Sequence, residues 1–422
     1  MCPAVRVPTL ADAMSRKILK KPNIRPVRFP WTEDLSETVR AALKLPPEND
    51  TAVELLAESV KQLSDRFLLT GISPYADTPD FLRAYVSYYL PVNVPKIADT
   101  LLCSGICASD PPGGAPPEGS PESRQSQQEY LRVLDLGTGP GTALIALLLV
   151  RNMLNRHGPL DITATDRTPA FLEAAEALVT AFRHLTGIPG SNRFLLRDIP
   201  DIPPGPFDCV MMANVMAELT GSLMDRFHER LETLVAPGGA VLLMEPAQRR
   251  VARALHALRD ALNPAIWHIL YPCPGAYPCP ALTRDRDWCH HRLAWDPPET
   301  VRCIDRNTRM NKQFLNFTPL VLRRRDIPGG DTAPEPPVLR VISDVRILKG
   351  KLEVLVCGEF GDDSHLRTVM LENKKMTRYN EMFTDLVRYD RIRIEHVEVR
   401  GDRLILSETS RLTCVVDDGD RE

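Results

Sequence analysis

The stretch Leu131–Thr142, LRVLDLGTGPGT, decides the fold class of this 422-residue chain. An apolar run leads to the acid Asp135, and Gly137, Gly139 and Gly141 follow at alternate positions before a long apolar segment. A strand, a glycine turn and a helical apolar run make up the first half of a βαβ unit. The sequence therefore predicts an α/β fold, in which helices cover a parallel sheet.

The spacing of these glycines is D-x-G-x-G-x-G, whereas the dinucleotide fingerprint reads G-x-G-x-x-G. The tighter form resembles the signature of S-adenosylmethionine-dependent methyltransferases. The resemblance implies a Rossmann-like methyltransferase fold in which Asp135, Gly137, Gly139 and Gly141 lie against the cofactor. Glycine is needed there because a Cβ would block the approach of the cofactor or the positive φ of the turn.

Composition limits the class of protein. A chain of 422 residues is long enough for two to three domains. Its 43% hydrophobic and 25% charged residues are typical of a soluble globular protein. The net charge of −3 gives no general attraction to nucleic acid, so any such binding must come from local patches.

Cysteine usage and the N-terminus bear on the compartment. The ten cysteines lack the even spacing of a secreted disulfide framework, which favours a reducing compartment with metal or cluster ligation. No apolar run reaches the length of a membrane span, so we expect no membrane association. We expect a bacterial cytoplasmic, ribosome-associated protein. The alternative is the mitochondrial matrix, for which the acid-poor, Arg-bearing start would serve as a weak presequence.

Periodicity and composition divide the chain into four regions. We expect a helical N-terminal domain with a basic arm, a disordered Pro/Gly/Ser-rich insertion, a methyltransferase-like domain and a small C-terminal β domain. The borders are 1–103, 104–128, 129–330 and 331–422. The arm contains no acid from Ala13 to Trp31, so it is either a solvated tail or a contact for RNA phosphates.

Acids follow the next two predicted strands. Asp161–Asp166 reads as the second strand, and a carboxylate at its end can accept the ribose hydroxyls of an adenosine. Asp166 is therefore the ribose candidate, although an acid here can also open the next helix. Arg193–Asp198 reads as the third strand, and it places Asp198 beside the adenine ring.

The remaining strands of the predicted sheet are Pro206–Ala213 and Ala240–Met244, with Pro237-Gly238-Gly239 as a turn. Asn214 is predicted to begin a helix at the carboxyl edge of the sheet, where ligands bind in open α/β folds. The Asn/Asp-Pro-Pro-aromatic motif of amino-directed methyltransferases is not present after the fourth strand. The catalytic residues therefore stay unassigned.

A second organising stretch is 271–291, YPCPGAYPCPALTRDRDWCHH. It contains Cys273, Cys279 and Cys289, and the prolines keep its backbone open. Three cysteines this close suggest a soft-metal or iron–sulfur site, with reduced structural cysteines as the alternative. The spacing leaves the fourth ligand open. The candidates for it are Cys357, Cys303 and His290.

Several motifs together resemble one family, the Rsm-type methyltransferase-like proteins of the small ribosomal subunit. They are LDLGTGPGTAL, the CPxxxxCP element, Asp287-Trp288-Cys289-His290, NKQFLNFTPLVLRR and LEVLVCGEFGDD. The resemblance implies S-adenosylmethionine, a 4Fe–4S cluster and association with the small subunit and its rRNA. It assigns the cluster ligands to Cys273, Cys279, Cys289 and Cys357.

The chain departs from the family at three positions. Gly275 and His291 stand where the family often has a His and an aromatic residue, and Asn214 stands in place of an aromatic residue after the fourth strand. We therefore expect a less tightly packed cluster loop and a different substrate pocket.

The stretch from Arg284 to Arg325 contains ten Arg and Lys and five acids, an excess of five positive charges. We call this stretch the basic segment. It is the expected site of rRNA phosphate contacts, with a solvated face as the alternative. The predicted function is a small-subunit maturation factor, monomeric off the ribosome, that binds S-adenosylmethionine and a 4Fe–4S cluster, with methylation of rRNA left open. The alternative is a non-enzymatic RNA-binding assembly factor on a methyltransferase scaffold. A radical enzyme is disfavoured because four cysteines would fill every iron site.

Overall fold

The computed structural model describes most of the chain. The described residues are 26–46, 50–68, 78–106, 130–199, 201–216, 222–326, 338–360 and 365–415. The expected insertion 104–128 lies outside them from residue 107 onward, and so does most of the basic arm. The described residues form two compact units, one within 26–272 and 281–326 and one of 273–280 with those within 338–415.

Helices dominate the chain before residue 106, as predicted. They are α1 (Thr32–Ala42), α2 (Asp50–Leu68), α3 (Pro79–Ala84), a π-helical turn (Tyr85–Tyr89) and α4 (Leu90–Ser104). The side chain of Thr78 caps α3 by accepting the amide of Phe81 at 3.4 Å. These helices belong to the same compact unit as the large sheet.

The rest of this unit alternates strands and helices. Its strands are β1 (Leu131–Leu136), β2 (Leu160–Asp166), β3 (Gly190–Leu196), β4 (Phe207–Ala213), β5 (Val235–Pro246), β6 (Trp267–Tyr271), β7 (His291–Ala294) and β8 (Phe314–Arg324). Its helices are α5 (Thr142–Met153), α6 (Pro169–Thr186), α7 (Ser222–Leu234), α8 (Arg249–Ala261) and α9 (Glu299–Thr308).

The large sheet has the order β3-β2-β1-β4-β5-β8-β6, and β7 pairs with β8. Strands β1 to β5 are parallel, while β8 is antiparallel to β5. The order reverses between β1 and β4, and ligands bind at the carboxyl ends of strands beside such a switch point. This is the predicted α/β, Rossmann-like architecture, and it places the glycine turn after β1 at the expected binding edge.

The apolar residues of β1 and α5 explain why the unit folds around this turn. Strand β1 is buried from Val133 to Leu136, and every residue of α5 from Thr142 to Arg151 is buried. A helix that is apolar on all sides is stable only inside a protein. The turn is therefore fixed by core packing on both sides.

Two local predictions differ from the structure. The predicted turn Pro237-Gly238-Gly239 lies within β5, because the pairing with β4 moves from Phe207↔Val235 to Cys209↔Ala240 and leaves the extra residues as a bulge. Asn214 does not begin a helix. Its φ of +61° is left-handed, and α7 begins only at Ser222.

The second unit contains the predicted small β domain. Its strands are β9 (Leu339–Val341), β10 (Arg346–Leu348), β11 (Lys351–Cys357), β12 (Leu366–Glu372), β13 (Arg391–Arg400) and β14 (Arg403–Cys414). They follow the order β10-β11-β12-β14-β13-β9, and β9 also pairs with β11. The sheet is therefore closed, around a core that includes Val354, Val369 and Phe383.

None of the helices in the described part of the chain is long and apolar enough to cross a membrane.

Candidate functional site

The glycine turn after β1 has the geometry that its sequence predicts. Gly137, Gly139 and Gly141 have φ of +67°, +54° and +84°, a region that residues with a side chain rarely adopt. A Cβ on Gly137 would lie 2.6 Å from a methyl group of Val215, whereas one on Gly139 would have no atom within 4 Å. The backbone at Gly139 is therefore open to a ligand.

Asp166 lies beside this turn at the end of β2. Its Oδ2 accepts the amide of Gly139 and its Oδ1 accepts the amide of Thr168, each at 2.8 Å. Burial raises the pKa of the Asp166 carboxyl, and these two amides oppose the rise. The Thr168 hydroxyl also bonds this carboxylate, and its remaining acceptor capacity is open to a hydroxyl donor of a ligand.

Asp135 stabilises the turn from inside. Its Oδ2 accepts the hydroxyl of Thr138 at 2.6 Å, and the residue is 1% exposed. Burial raises the pKa of Asp135 to about 7, against the effect of the Thr138 hydroxyl, and the neighbouring Asp166 carboxylate adds to the rise. At this depth the acid holds the shape of the turn.

Glu245, at the end of β5, is a site residue that our reading of the sequence did not single out. It is fully buried, and its Oε1 accepts the amides of Val215 and Met216, each at 2.9 Å. The Asn214 amide is bonded to the carbonyl of Met244 at 2.8 Å. The segment after β4 is thereby held against Gly137, and Asn214 lies at the same edge of the sheet as the turn.

Asp198 takes a more distant place. It lies two residues beyond β3, it is exposed, and its carboxylate accepts the amide of Ile199 at 2.8 Å. The amide of the preceding Arg197 donates to the carbonyl of Asp166 at 3.0 Å. The backbone therefore brings Asp198 to the correct edge of the sheet, while its side chain faces solvent.

The π-helical turn Tyr85–Tyr89 adds an aromatic residue to this edge. π-helical turns occur often at functional sites. The ring of Tyr85 packs edge-on against Phe171, with 5.1 Å between centroids. Burial raises the pKa of the Tyr85 hydroxyl, and the Asp166 carboxylate adds to the rise while Asn93 and Thr142 oppose it. Tyr85 therefore lies beside the ribose candidate.

Further along the same helical segment lies Lys96. Its Nζ donates to Oδ1 of Asn93 at 2.8 Å. Burial lowers the pKa of Lys96 to about 7, and the charge of Lys312 contributes to the shift. The backbone of Lys312 is fixed by Asp305, whose other oxygen accepts the hydroxyl of Tyr88 at 2.6 Å. Lys96 is thus connected to Tyr85 through Asn93, which also bonds the Tyr85 hydroxyl.

Three of the four predicted cluster ligands belong to the second unit, which contains the small β domain. Cys279 and Cys357 are buried and Cys273 is half-buried. The Tyr277 hydroxyl lies 3.2 Å from the sulfur of Cys357, and its ring stacks on His365 at 4.1 Å between centroids.

The same loop explains a departure from the family pattern at Gly275. A Cβ on Gly275 would lie 2.8 Å from the ring of Tyr277 and 3.1 Å from Glu359. The ring of Tyr277 occupies this space, so a larger side chain at position 275 does not fit without a shift.

Cys289, the remaining predicted ligand, follows a loop that α8 holds. The guanidinium of Arg253 donates to four carbonyls of this loop, at 2.8 to 3.3 Å. These carbonyls belong to Ala281, Leu282, Arg284 and Asp287. The ring of His256 bonds the carbonyl of Cys289 at 3.1 Å. One face of α8 therefore fixes the backbone that leads to Cys289.

The chemistry of these cysteines suits an iron–sulfur cluster, because thiolates in an open, proline-rich loop are its usual ligands. The described side chains do not yet form such a site. Among the described ranges, no group of three or more His, Cys, Asp or Glu side chains is close enough to hold a metal ion. The other two candidates for the fourth ligand lie elsewhere, since Cys303 bonds Glu299 at 3.2 Å and His290 stacks on Trp288.

The basic segment does not form one exposed patch. Arg302 and Arg306 pair with acids, among them Glu299. Arg324 and Arg325 donate to backbone carbonyls of the large sheet unit. From the basic arm, Arg28 pairs with Asp296 at 3.0 Å. Much of the local excess of charge is therefore used within the fold.

A family model described as mitochondrial small ribosomal subunit Rsm22 matches residues 122–381, which is more than half of the chain. The chain belongs to the Rsm22 family. This agrees with the resemblance that the glycine turn, the CPxxxxCP element and the Trp-Cys-His motif indicate. The description of the family concerns mitochondria, which favours the mitochondrial alternative for this Rsm22-family chain.

Other similarities are distant. A stretch of 118 residues is 25% identical to the highly reducing polyketide synthase PKS6 of Gibberella zeae, and it covers 28% of this chain and 4% of that protein.

Solved structures with a similar fold include three methyltransferases. An O-methyltransferase family protein of Burkholderia thailandensis is 17% identical, with 68% of this chain and 75% of that chain covered and a TM-score of 0.36. The plantazolicin methyltransferase BpumL, in complex with SAH, is 11% identical, with 64% and 99% covered and a TM-score of 0.31. An RNA methyltransferase of Salinibacter ruber, in complex with S-adenosyl-L-homocysteine, is 13% identical, with 36% and 74% covered and a TM-score of 0.24. These low scores indicate nothing about ligand or reaction.

Proposed function

We propose that this Rsm22-family protein binds S-adenosylmethionine at the glycine turn and acts on the mitochondrial small ribosomal subunit as a maturation factor. The observation that carries the cofactor proposal is the Asp166 carboxylate, held by the Gly139 amide at 2.8 Å beside an open backbone. Family membership supports the association with the small subunit.

The chemistry of the cofactor matches these groups. Its ribose carries two vicinal hydroxyls, which are donors of the kind that the Asp166 carboxylate accepts. Its methionine part can lie against the bare backbone of the glycine turn. Asp135 and Glu245 would act one step away, by holding the turn and the segment after β4 in place.

Calorimetric titration of the full chain with S-adenosylmethionine tests the site. Asp166→Asn should weaken binding about 10- to 100-fold, because a hydrogen bond to a charged group contributes roughly 1.5–3 kcal/mol. The matched control is Asp161→Asn, an acid in the same strand whose side chain bonds Ser191. Equal affinity of the two variants would refute the assignment of Asp166.

We also propose that Cys273, Cys279, Cys289 and Cys357 ligate a 4Fe–4S cluster, which the resemblance implies and the thiol chemistry supports. Anaerobic purification with iron and sulfide analysis tests it. Wild type should hold about four irons per chain, and Cys357→Ser should lose them. Cys303→Ser should retain them, because this cysteine lies on α9 beside Glu299. Zinc or no metal in wild type would refute the cluster.

Cofactor binding without methyl transfer is the form of the function that the site favours. The amides of Val215 and Met216, after β4, are taken by Glu245, and the Asn/Asp-Pro-Pro-aromatic motif is not present there. A transfer assay with labelled methyl groups and immature small subunits separates the alternatives. Incorporation above that of Asp166→Asn would identify an active rRNA methyltransferase instead.

A further inference from the structure

The closed sheet of the second unit has a specific topology. Going round the barrel, each strand pairs with the next in the order β9, β11, β12, β14, β13 and back to β9. All neighbours are antiparallel except β12 and β14, which are parallel. If the five strands are numbered along the chain, the order is 1-2-3-5-4-1 with strands 3 and 5 parallel. This is the topology of the oligonucleotide/oligosaccharide-binding (OB) fold.

OB folds bind ligands on the outer face of strands 2 and 3, between the loop that joins strands 1 and 2 and the loop that joins strands 4 and 5. Here strands 2 and 3 are β11 and β12. The first loop contains β10, and the second is the turn from Arg400 to Arg403. The corresponding site in this protein is the outward side of β11 and β12, which we call the outer face.

Alternation along each strand identifies the side chains on this face. Val354 and Val369 pair across β11 and β12 and belong to the barrel core. Their neighbours in sequence point outward, because side chains alternate along a strand. On the outer face, Leu355 therefore pairs with Thr368 and Glu353 with Met370. All but Glu353 are partly exposed.

Cations surround Glu353, the acid at the centre of this face. A second acid of the face, Glu372, lies opposite Lys351 and contacts Lys374 and Lys375. Arg346 and Lys351 contact the carboxylate of Glu353 at 2.9 and 2.7 Å. Arg403, which pairs with Thr368, lies near enough to contribute, after Lys351 and Arg346, to the lowered pKa of Glu353. Three positive charges thus lie around the Glu353 carboxylate, and the Arg346 side chain is 60% exposed.

Two observations limit the chemical class of ligand that the outer face can bind. The cluster loop takes one end of the outer face, where Tyr277 contacts Cys357, and the part from Leu355 to Lys351 continues beyond it. The outward residues of this part are aliphatic, hydroxyl-bearing or charged, and they include no aromatic ring on which a sugar or a base could stack. A ligand is therefore held here by charge and not by stacking. Positive charge beside a shallow apolar strip matches a sugar–phosphate backbone better than a neutral sugar.

We infer that the outer face of β11 and β12 binds single-stranded RNA through Arg346, Lys351 and Arg403. This second site lies in a different compact unit from the glycine turn, and it goes beyond the proposed cofactor function. It gives the small β domain a role of its own in small-subunit association.

Fluorescence anisotropy of the full chain with a labelled single-stranded poly(U) of about 12 nucleotides, a length within the range of one OB fold, tests the inference. A phosphate contact on a single strand gives a salt slope of about 0.7, which is about fivefold in affinity at 0.1 M salt. Arg346→Ala should therefore weaken binding about fivefold. The double variant R346A/R403A should weaken it about 25-fold and lower the slope by about 1.4.

Glu353→Gln distinguishes RNA binding from a damaged barrel. Removing this carboxylate frees two cations for phosphate, so RNA binding should become tighter, although the barrel loses two ion pairs. Arg156→Ala, an exposed arginine of the other unit, is the control and should bind like wild type. Unchanged binding by R346A/R403A, or weaker binding by E353Q, would overturn the inference.

Two further controls separate this inference from its alternatives. An unlabelled neutral oligosaccharide that competes as well as RNA would also overturn it. Titration of R346A/R403A with S-adenosylmethionine should give the affinity of wild type, so a failure of the cofactor proposal would be visible separately.

Discussion

Substituting Gly139 with Ala separates the role of the glycine turn in binding from its role in folding. At φ +54° an Ala costs about 1–2 kcal/mol, because its Cβ approaches the following carbonyl. No other atom lies within 4 Å of that Cβ, so this conformational strain is the whole expected cost to the free energy of unfolding. The melting temperature should fall by about 2–4 °C per kcal/mol.

Gly187 provides a matched control. It follows α6 at φ +66°, its amide donates to the carbonyl of Arg183 at 2.8 Å, and a Cβ there would also have no atom within 4 Å. Gly187→Ala should therefore lower the melting temperature as much as Gly139→Ala does. Only Gly139→Ala should also weaken the binding of S-adenosylmethionine, by at least tenfold, since its methyl group occupies the open space where the cofactor would lie.

Thermal unfolding and calorimetry on the two variants check both expectations. Gly137→Ala adds a contrast, because its Cβ would meet Val215 at 2.6 Å, so its melting temperature should fall further than that of either. If G139A and G187A bound the cofactor equally well, the glycine turn would not be its site.

Three other substitutions test the supports of the two sites. Burial raises the pKa of Asp135 to about 7, so the folded protein keeps a proton that the unfolded chain releases above about pH 4. The free energy of unfolding should then fall as pH rises from about 4 to about 7, and the urea midpoint of Asp135→Asn should depend less on pH than that of wild type. An equal pH dependence in the two proteins would contradict a raised pKa of Asp135. Glu245→Ala leaves two buried amides without their acceptor and should lower the free energy of unfolding by about 2–6 kcal/mol. Glu245→Gln keeps an acceptor, so urea unfolding should show a loss less than half as large. Equal losses in the two variants would argue against these hydrogen bonds. A lysine at position 253 lacks the planar guanidinium that donates to four carbonyls. In Arg253→Lys, amide hydrogen exchange across 281–289 should therefore accelerate while α8 stays protected. Unchanged exchange would show that the loop is held by other contacts.

The glycine turn and the strand ends could be predicted from sequence because local signals define them. The glycines at 137, 139 and 141 indicate a backbone with positive φ. Asp166 ends a buried strand, at the edge where the parallel strands end. The small β domain was also visible in its alternating residues.

The supports of the site could not be predicted, because they depend on contacts between distant parts of the chain. Glu245 reaches back 30 residues to Val215, and Tyr85 meets Asp166 only after the N-terminal helices pack on the sheet. The sequence pattern made Asn214 a helix start, since an Asn near a strand end resembles a cap, but the left-handed backbone there follows from the bonds to β5. The OB topology was hidden for the same reason, because strand order leaves no local trace.

Sedimentation of the full chain with purified mitochondrial small ribosomal subunits through a sucrose cushion tests the central claim most directly. The account predicts that the protein pellets with small subunits and stays in the supernatant with large subunits, and that R346A/R403A pellets less than Arg156→Ala does. A protein that stays in the supernatant with both subunits, under salt conditions where it binds single-stranded RNA, would contradict a role on the small subunit.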